Sequence, residues 1–122
     1  GAAAALGADV VVVTNDNPRH EDPHAIAAML EQGARDARAD AAIVTVLDRR
    51  AAIEHAIAMA HRADVVVIAG MGHEVGQRIG DADVPFSDRD EVLRITATSA
   101  ASSGGGDDPS PVHAPDCTTP AL

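Results

Sequence analysis

The chain has 122 residues, enough for one domain, with 9 basic against 19 acidic residues and a formal charge of −10. Every basic residue is arginine, and this balance excludes a nucleic-acid binder, which would need a basic face over the phosphates. Hydrophobic residues make up 46% and suffice for a core, but Phe86 is the sole aromatic, so that core is built of Val, Ile, Leu, Ala and Met, and base-stacking platforms are excluded too.

In chain order, Gly1 to Gly7 reads as the end of a helix that leads into a strand. A helix opening a βαβ chain predicts a further strand upstream of Gly1. Asp9 to Thr14 is a short continuous β-branched run, as are Ala42 to Leu47 and Asp64 to Ala69. Continuous rather than alternating apolarity predicts strands buried on both faces, as in a parallel sheet. Helices are predicted between them. Asp22-Pro23 supplies an N-cap and a proline at the first helical position. Ile26, Met29 and Leu30 form one face, and Gly33 is the expected stop. Asp48 caps a second helix with Ile53, Ile57 and Ala60 as its stripe. Ser87-x-x-Asp90 resembles a capping box ahead of Val92, Leu93 and Ile95. The order β-α-β-α-β-loop-α predicts an α/β, Rossmann-like, mostly parallel sheet with helices on both faces. From Thr96 to Leu122 the chain is rich in Ser, Thr, Gly, Pro and Ala without apolar periodicity, which predicts a disordered tail. The expected division is a domain at 1–95 and a tail at 96–122. No apolar run reaches the roughly 18–20 residues of a membrane span. The first residues lack the basic region of a signal peptide. Cys117 is alone and cannot form an internal disulfide. The expectation is a cytoplasmic protein.

Ligands of open α/β sheets bind beyond the carboxyl ends of the strands. Two such ends stand out. The first strand runs into Thr14-Asn15-Asp16-Asn17-Pro18-Arg19, where Pro18 stiffens the turn and biases Asn17 to extended geometry. Arg19 there suits bidentate capture of a carboxylate or phosphate; it is also compatible with a solvated turn residue paired to Glu21 or Asp22. The third run leads into Gly70-Met71-Gly72-His73-Glu74. Two glycines allow a tight turn or close approach to a ligand. Glu74 could take an ammonium group with His73 in support, or both could be solvated. Together the loops offer a cation and an anion, complementary to the zwitterionic end of an amino acid. Other chemistries lack a scaffold. Val75 stands where a dinucleotide fingerprint needs its third glycine, and a chain without lysine has no GxxxxGK[ST] loop. His20 and His24 straddle a helix start rather than share a face, and His55 and His61 read as surface residues. No GxSxG elbow is present.

The run from Val11 to Pro23, VVVTNDNPRHEDP, resembles the C-terminal domain of a Mur ligase of the meso-diaminopimelate-adding (MurE) type, whose signature is the DNPR tetrad found at Asp16 to Arg19. Gly70 to Gln77, followed by Phe86-Ser87-Asp88-Arg89, resembles the second signature of that family, GKGHE with a downstream F/Y-x-D-R. The resemblance covers about Gly1 to Ile95. It implies a three-domain, ATP- and Mg2+-dependent ligase. That enzyme phosphorylates the D-glutamate carboxylate of UDP-N-acetylmuramoyl dipeptide and lets the diaminopimelate amine attack the acyl phosphate. Carried over residue by residue, it implies that Asn17, Arg19, Gly70 and Glu74 contact the distal end of meso-diaminopimelate. Arg19 would take the carboxylate and Glu74 the ammonium, with Asp16, Pro18, Gly72 and His73 in support. No catalytic residue, metal ligand or nucleotide site is implied within this chain itself. Met71 replaces the usual lysine of the second motif. The family's first strand and its Arg-containing Gly-rich loop have no counterpart. Two other readings remain open at this point: a stand-alone diamino-acid-binding module without catalysis, and a non-functional truncated remnant.

Overall fold

The computed structural model describes residues 1–102, which form four helices and four short strands. They are α1 (Ala2–Gly7), β1 (Val10–Val13), α2 (Pro23–Ala37), β2 (Ala42–Thr45), α3 (Arg49–Met59), β3 (Gly76–Ile79), β4 (Ala82–Pro85) and α4 (Asp88–Ser102). β1 and β2 pair in parallel with Val10 opposite Ala42 and Val13 opposite Thr45. The ladder carries on past the strands through Val46 N–H to Val13 O at 2.9 Å. Both α2 and α3 touch β1, while α1 lies on α2 and α4 on α3, so two helical pairs pack around the parallel strands. This is the α/β class that the alternating pattern predicts.

The helix starts follow local chemistry. Asp22 accepts the His24 N–H at 2.9 Å ahead of Pro23, and Asp48 accepts the Ala51 N–H at 2.8 Å. Ser87 Oγ accepts from the Asp90 N–H at 3.3 Å before α4. Small residues set the α1–α2 contact. Ala5, Ala34 and Ala41 form a buried cluster with Ile43 packed against it. The helices are so close that a Cβ on Gly1 would lie 2.0 Å from the Leu30 carbonyl oxygen. Arg38 locks this pair to the sheet by donating to the Ala8 and Asp9 carbonyls at 3.0 and 3.1 Å.

Four details differ from the sequence expectation. α2 passes through Gly33 and ends at Ala37, because Gly33 faces α1, where a small residue suits the crossing. Residues 64–69 form no ladder; the parallel sheet has two strands, and Val65 and Val67 are 86% and 80% exposed. A cavity of about 80 Å³, lined by Val12, Ala52, Ile53 and Val66, lies where this segment faces β1 and α3. Apolarity marked it for burial but could not supply the partner edge. Residues 76–85, read as loop, form an antiparallel hairpin with Ile79 opposite Ala82. Finally, α4 extends through Ser102, so 96–102 are helical, whereas 103–122, the rest of the expected tail, lie outside the described residues.

Candidate functional site

Both singled-out loops sit at one end of the fold, and Asn17 joins them. Its Nδ2 donates to Glu74 Oε2 at 2.8 Å, across 57 residues of sequence. Its Oδ1 accepts the Arg78 N–H at 2.6 Å. Pro18 after it is buried, and the Asn17 amide is committed to the second loop and the hairpin. Glu74 is itself placed by a tight turn in which its N–H donates to the Met71 carbonyl at 2.6 Å. Met71, in the same turn, is fully buried.

Arg19 lies on the hairpin edge. It forms a parallel bridge to Ile79, donating its N–H to Arg78 O at 3.2 Å and accepting the Gly80 N–H at 2.7 Å. Its φ of +53° is in the left-handed region, which an L residue occupies only when its surroundings hold it there. Its side chain is exposed and, among the described residues, has no hydrogen-bond or ion-pair partner, Glu21 and Asp22 included.

Gly70 has φ +114°, and a Cβ there would meet Asp16 Oδ2 at 2.9 Å. The first glycine of the motif is therefore required by backbone conformation, while the exposed Asp16 side chain beside it has room to turn aside. Asp16, Gly72 and His73 are exposed. The structure thus brings Asp16, Asn17, Gly70 and Glu74 together, buries Pro18 and Met71, and leaves His73 exposed.

Two anchoring residues escape the sequence reading. Arg49 is 4% exposed and forks onto Asp88, with Nε to Oδ1 and Nη2 to Oδ2 both 2.7 Å. The same guanidinium donates to the Asn15 and Ala69 carbonyls, each at 3.0 Å. Gln77, also buried, donates to the Asp16 carbonyl at 2.5 Å. A signal for Arg49 existed. An Arg-Arg pair in the first turn of a helix opposes the helix dipole and calls for acidic partners. Asp88 and Glu91 answer it, since Arg50 pairs with Glu91 at 2.7 Å. Hydrogen bonds to Glu54 and then Glu91 also hold the Arg94 guanidinium in its charged form, raising its pKa above the ordinary value.

A polar crossing of the loop after β1 and the loop after residues 64–69, with a guanidinium unpaired among the described residues in the first and a carboxylate in the second, suits a small zwitterion. Residues 1–72 match the family described as Mur ligase, glutamate ligase domain, and the chain belongs to that family. Among curated relatives, the UDP-N-acetylmuramoyl-L-alanyl-D-glutamate--2,6-diaminopimelate ligase of Caldanaerobacter subterraneus subsp. tengcongensis is 41% identical over 99 residues, 81% of this chain and 20% of that protein. The ligase of the same name from Streptomyces coelicolor is 49% identical over 96 residues, 77% of this chain and 19% of that protein. A solved structure of a ligase of that name superposes with a TM-score of 0.72 at 41% identity, covering 80% of this chain and 20% of its own. The chain therefore spans about a fifth of the length of these relatives.

Proposed function

We propose that this chain is the amino-acid-binding part of an amide-forming ligase that adds meso-diaminopimelate to UDP-N-acetylmuramoyl-L-alanyl-D-glutamate, a cytoplasmic step of peptidoglycan synthesis. The observation that carries the reading is the Asn17–Glu74 hydrogen bond, which ties the DNPR and GMGHE motifs into one site. The names of the relatives support the substrate class. Asn17, Arg19, Gly70 and Glu74 hold the distal end of the diamino acid, with Asp16, Pro18, Gly72 and His73 shaping the loops. Arg19 forks onto the distal carboxylate and Glu74 takes the distal ammonium. Lysine lacks that carboxylate and would leave Arg19 without its partner, which disfavours it. The reacting amine, at the other end of the substrate, then points away from this chain toward the rest of the ligase.

A family ligase of this kind uses ATP and Mg2+ to activate the acceptor carboxylate. The residues of this chain do not fit that group: it has no lysine and no glycine-rich loop ending in Lys-Ser/Thr to cradle phosphates. On this reading nucleotide binding and the UDP-linked acceptor belong to the other domains of the ligase, and the role of this chain is to orient the amine donor. The domain proposed for that role is the stretch expected at 1–95, together with the rest of α4.

The test is a nuclear magnetic resonance titration of the isotope-labelled chain with meso-diaminopimelate and, separately, with L-lysine. Saturable shifts at the Asn17 side-chain amide and at the Arg19, Gly70 and Glu74 backbone amides are expected with diaminopimelate, with lysine weaker by tenfold or more. Identical responses to the two amino acids, or none, overturn the reading.

A further inference from the structure

The Arg49–Asp88 pair takes no part in the site as proposed, yet it is the most buried ionic contact of the described residues, with side chains 3% and 9% exposed. Burying such a pair brings little net stability, because desolvation offsets the attraction, and an apolar pair of similar volume often serves as well. Arg49 is also placed against the helix dipole, at the first position of α3. What an apolar pair could not do is the rest of its bonding. One planar guanidinium spans the Asn15 carbonyl, which precedes Asp16, and the Ala69 carbonyl, which precedes Gly70, while Asp88 at the start of α4 fixes the fork from behind. Asn15 and Ala69 are the roots of the two loops that meet at Asn17 and Glu74.

We infer that the Arg49–Asp88 pair is a positioning device that fixes the separation of the two loop roots and thereby brings Asn17 and Glu74 into register for the amino-acid ligand. Arg49 touches no ligand; it acts through the two carbonyls. Lysine at this position keeps a charge opposite Asp88, but a single ammonium lacks the planar fork that reaches both carboxylate oxygens and both carbonyls at once. The ligand part of this inference rests on the proposed function, whereas the geometric part does not.

Two variants of the full chain test it: Arg49→Lys, and the paired Arg49→Met with Asp88→Leu, which removes the buried charges together and so keeps the fold within reach. The readout without ligand is hydrogen exchange and chemical shift of the Asn17 side-chain amide, with α2 amide protection as the reference for the fold. The expected result in both variants is loss of the distinct Asn17 amide signals with α2 protection retained, and a fall of about tenfold in diaminopimelate affinity, the scale of one charged hydrogen bond. Unchanged Asn17 signals in a folded variant overturn the inference. So does a uniform loss of protection across α2 and the site in both variants, which is the mark of a purely structural pair. If the unaltered chain binds no diaminopimelate while Arg49→Lys still releases Asn17, the proposed function falls and the positioning role stands.

Discussion

Arg19 combines two features that rarely coincide. Its backbone is held at φ +53° by two hydrogen bonds to the hairpin, while its guanidinium has no partner among the described residues. Strain of this kind persists only where the surroundings enforce it, and here the backbone bonds fix where the side chain leaves the hairpin edge. Arg19→Ala retains the backbone bonds and removes the fork, so diaminopimelate affinity is expected to fall about 10- to 100-fold, with the preference over lysine lost. Calorimetric titration with both amino acids checks this, and a preserved preference would remove Arg19 from the site. Gly70→Ala acts differently. At φ +114°, and with Asp16 Oδ2 2.9 Å from the added methyl, it is expected to destabilise the chain by about 2 kcal/mol in urea unfolding. At this scale the loops were readable because Pro18 and the glycines punctuate them. Arg49 was legible only as half of an Arg-Arg pair at a helix start, which calls for acidic partners but names neither Asp88 nor the two carbonyls.

At the scale of elements, the misplaced end of α2 is instructive. A glycine after an apolar stripe reads as a stop, yet Gly33 is inside the helix with ordinary space beside it: an added Cβ would come no closer than 3.8 Å to the Ala2 nitrogen. Gly33→Ala is therefore expected to stabilise the chain by about 0.5–1 kcal/mol through helix propensity, seen as a higher midpoint in thermal or urea unfolding. A lower midpoint would mean that the α1–α2 crossing is tighter than the structure has it. The hairpin had a legible signal of its own. Gly80-Asp81 between Ile79 and Ala82 is a two-residue turn with positive φ at the glycine. What hid it was polarity, since Gln77, Arg78, Asp81 and Asp83 break the apolar alternation by which strands are recognised. Those residues have other partners: Gln77 anchors the first loop and Arg78 pairs with Asp83.

For the molecule as a whole, the order of elements was readable and the extent of the sheet was not. A strand is defined by its neighbour, and residues 64–69 have the composition of a central strand without a ladder in the described structure. Val65 and Val67 side chains stand in solvent, so Val65→Thr and Val67→Thr are expected to change the unfolding free energy of this chain by less than about 0.5 kcal/mol. Losses above about 2 kcal/mol would show that these valines are buried in solution and that the sheet continues through them. Because the chain spans about a fifth of its relatives, the same substitutions made in a longer protein report on contacts that lie outside these residues.

The Asn17-Pro18 step also bears on how the site ages. Asparagine is ordinarily lost when the nitrogen of the next residue attacks the side-chain carbonyl and closes a five-membered imide. Proline carries no N–H, so its nitrogen cannot serve as that nucleophile. The amide that joins Asn17 to Glu74 is thereby shielded from spontaneous deamidation, whereas Asn15, followed by Asp16, has no such shield. Conversion at position 17 would set a second carboxylate against Glu74 and force apart what the amide now joins. The proline that stiffens the turn thus also preserves the chemical identity of the residue before it.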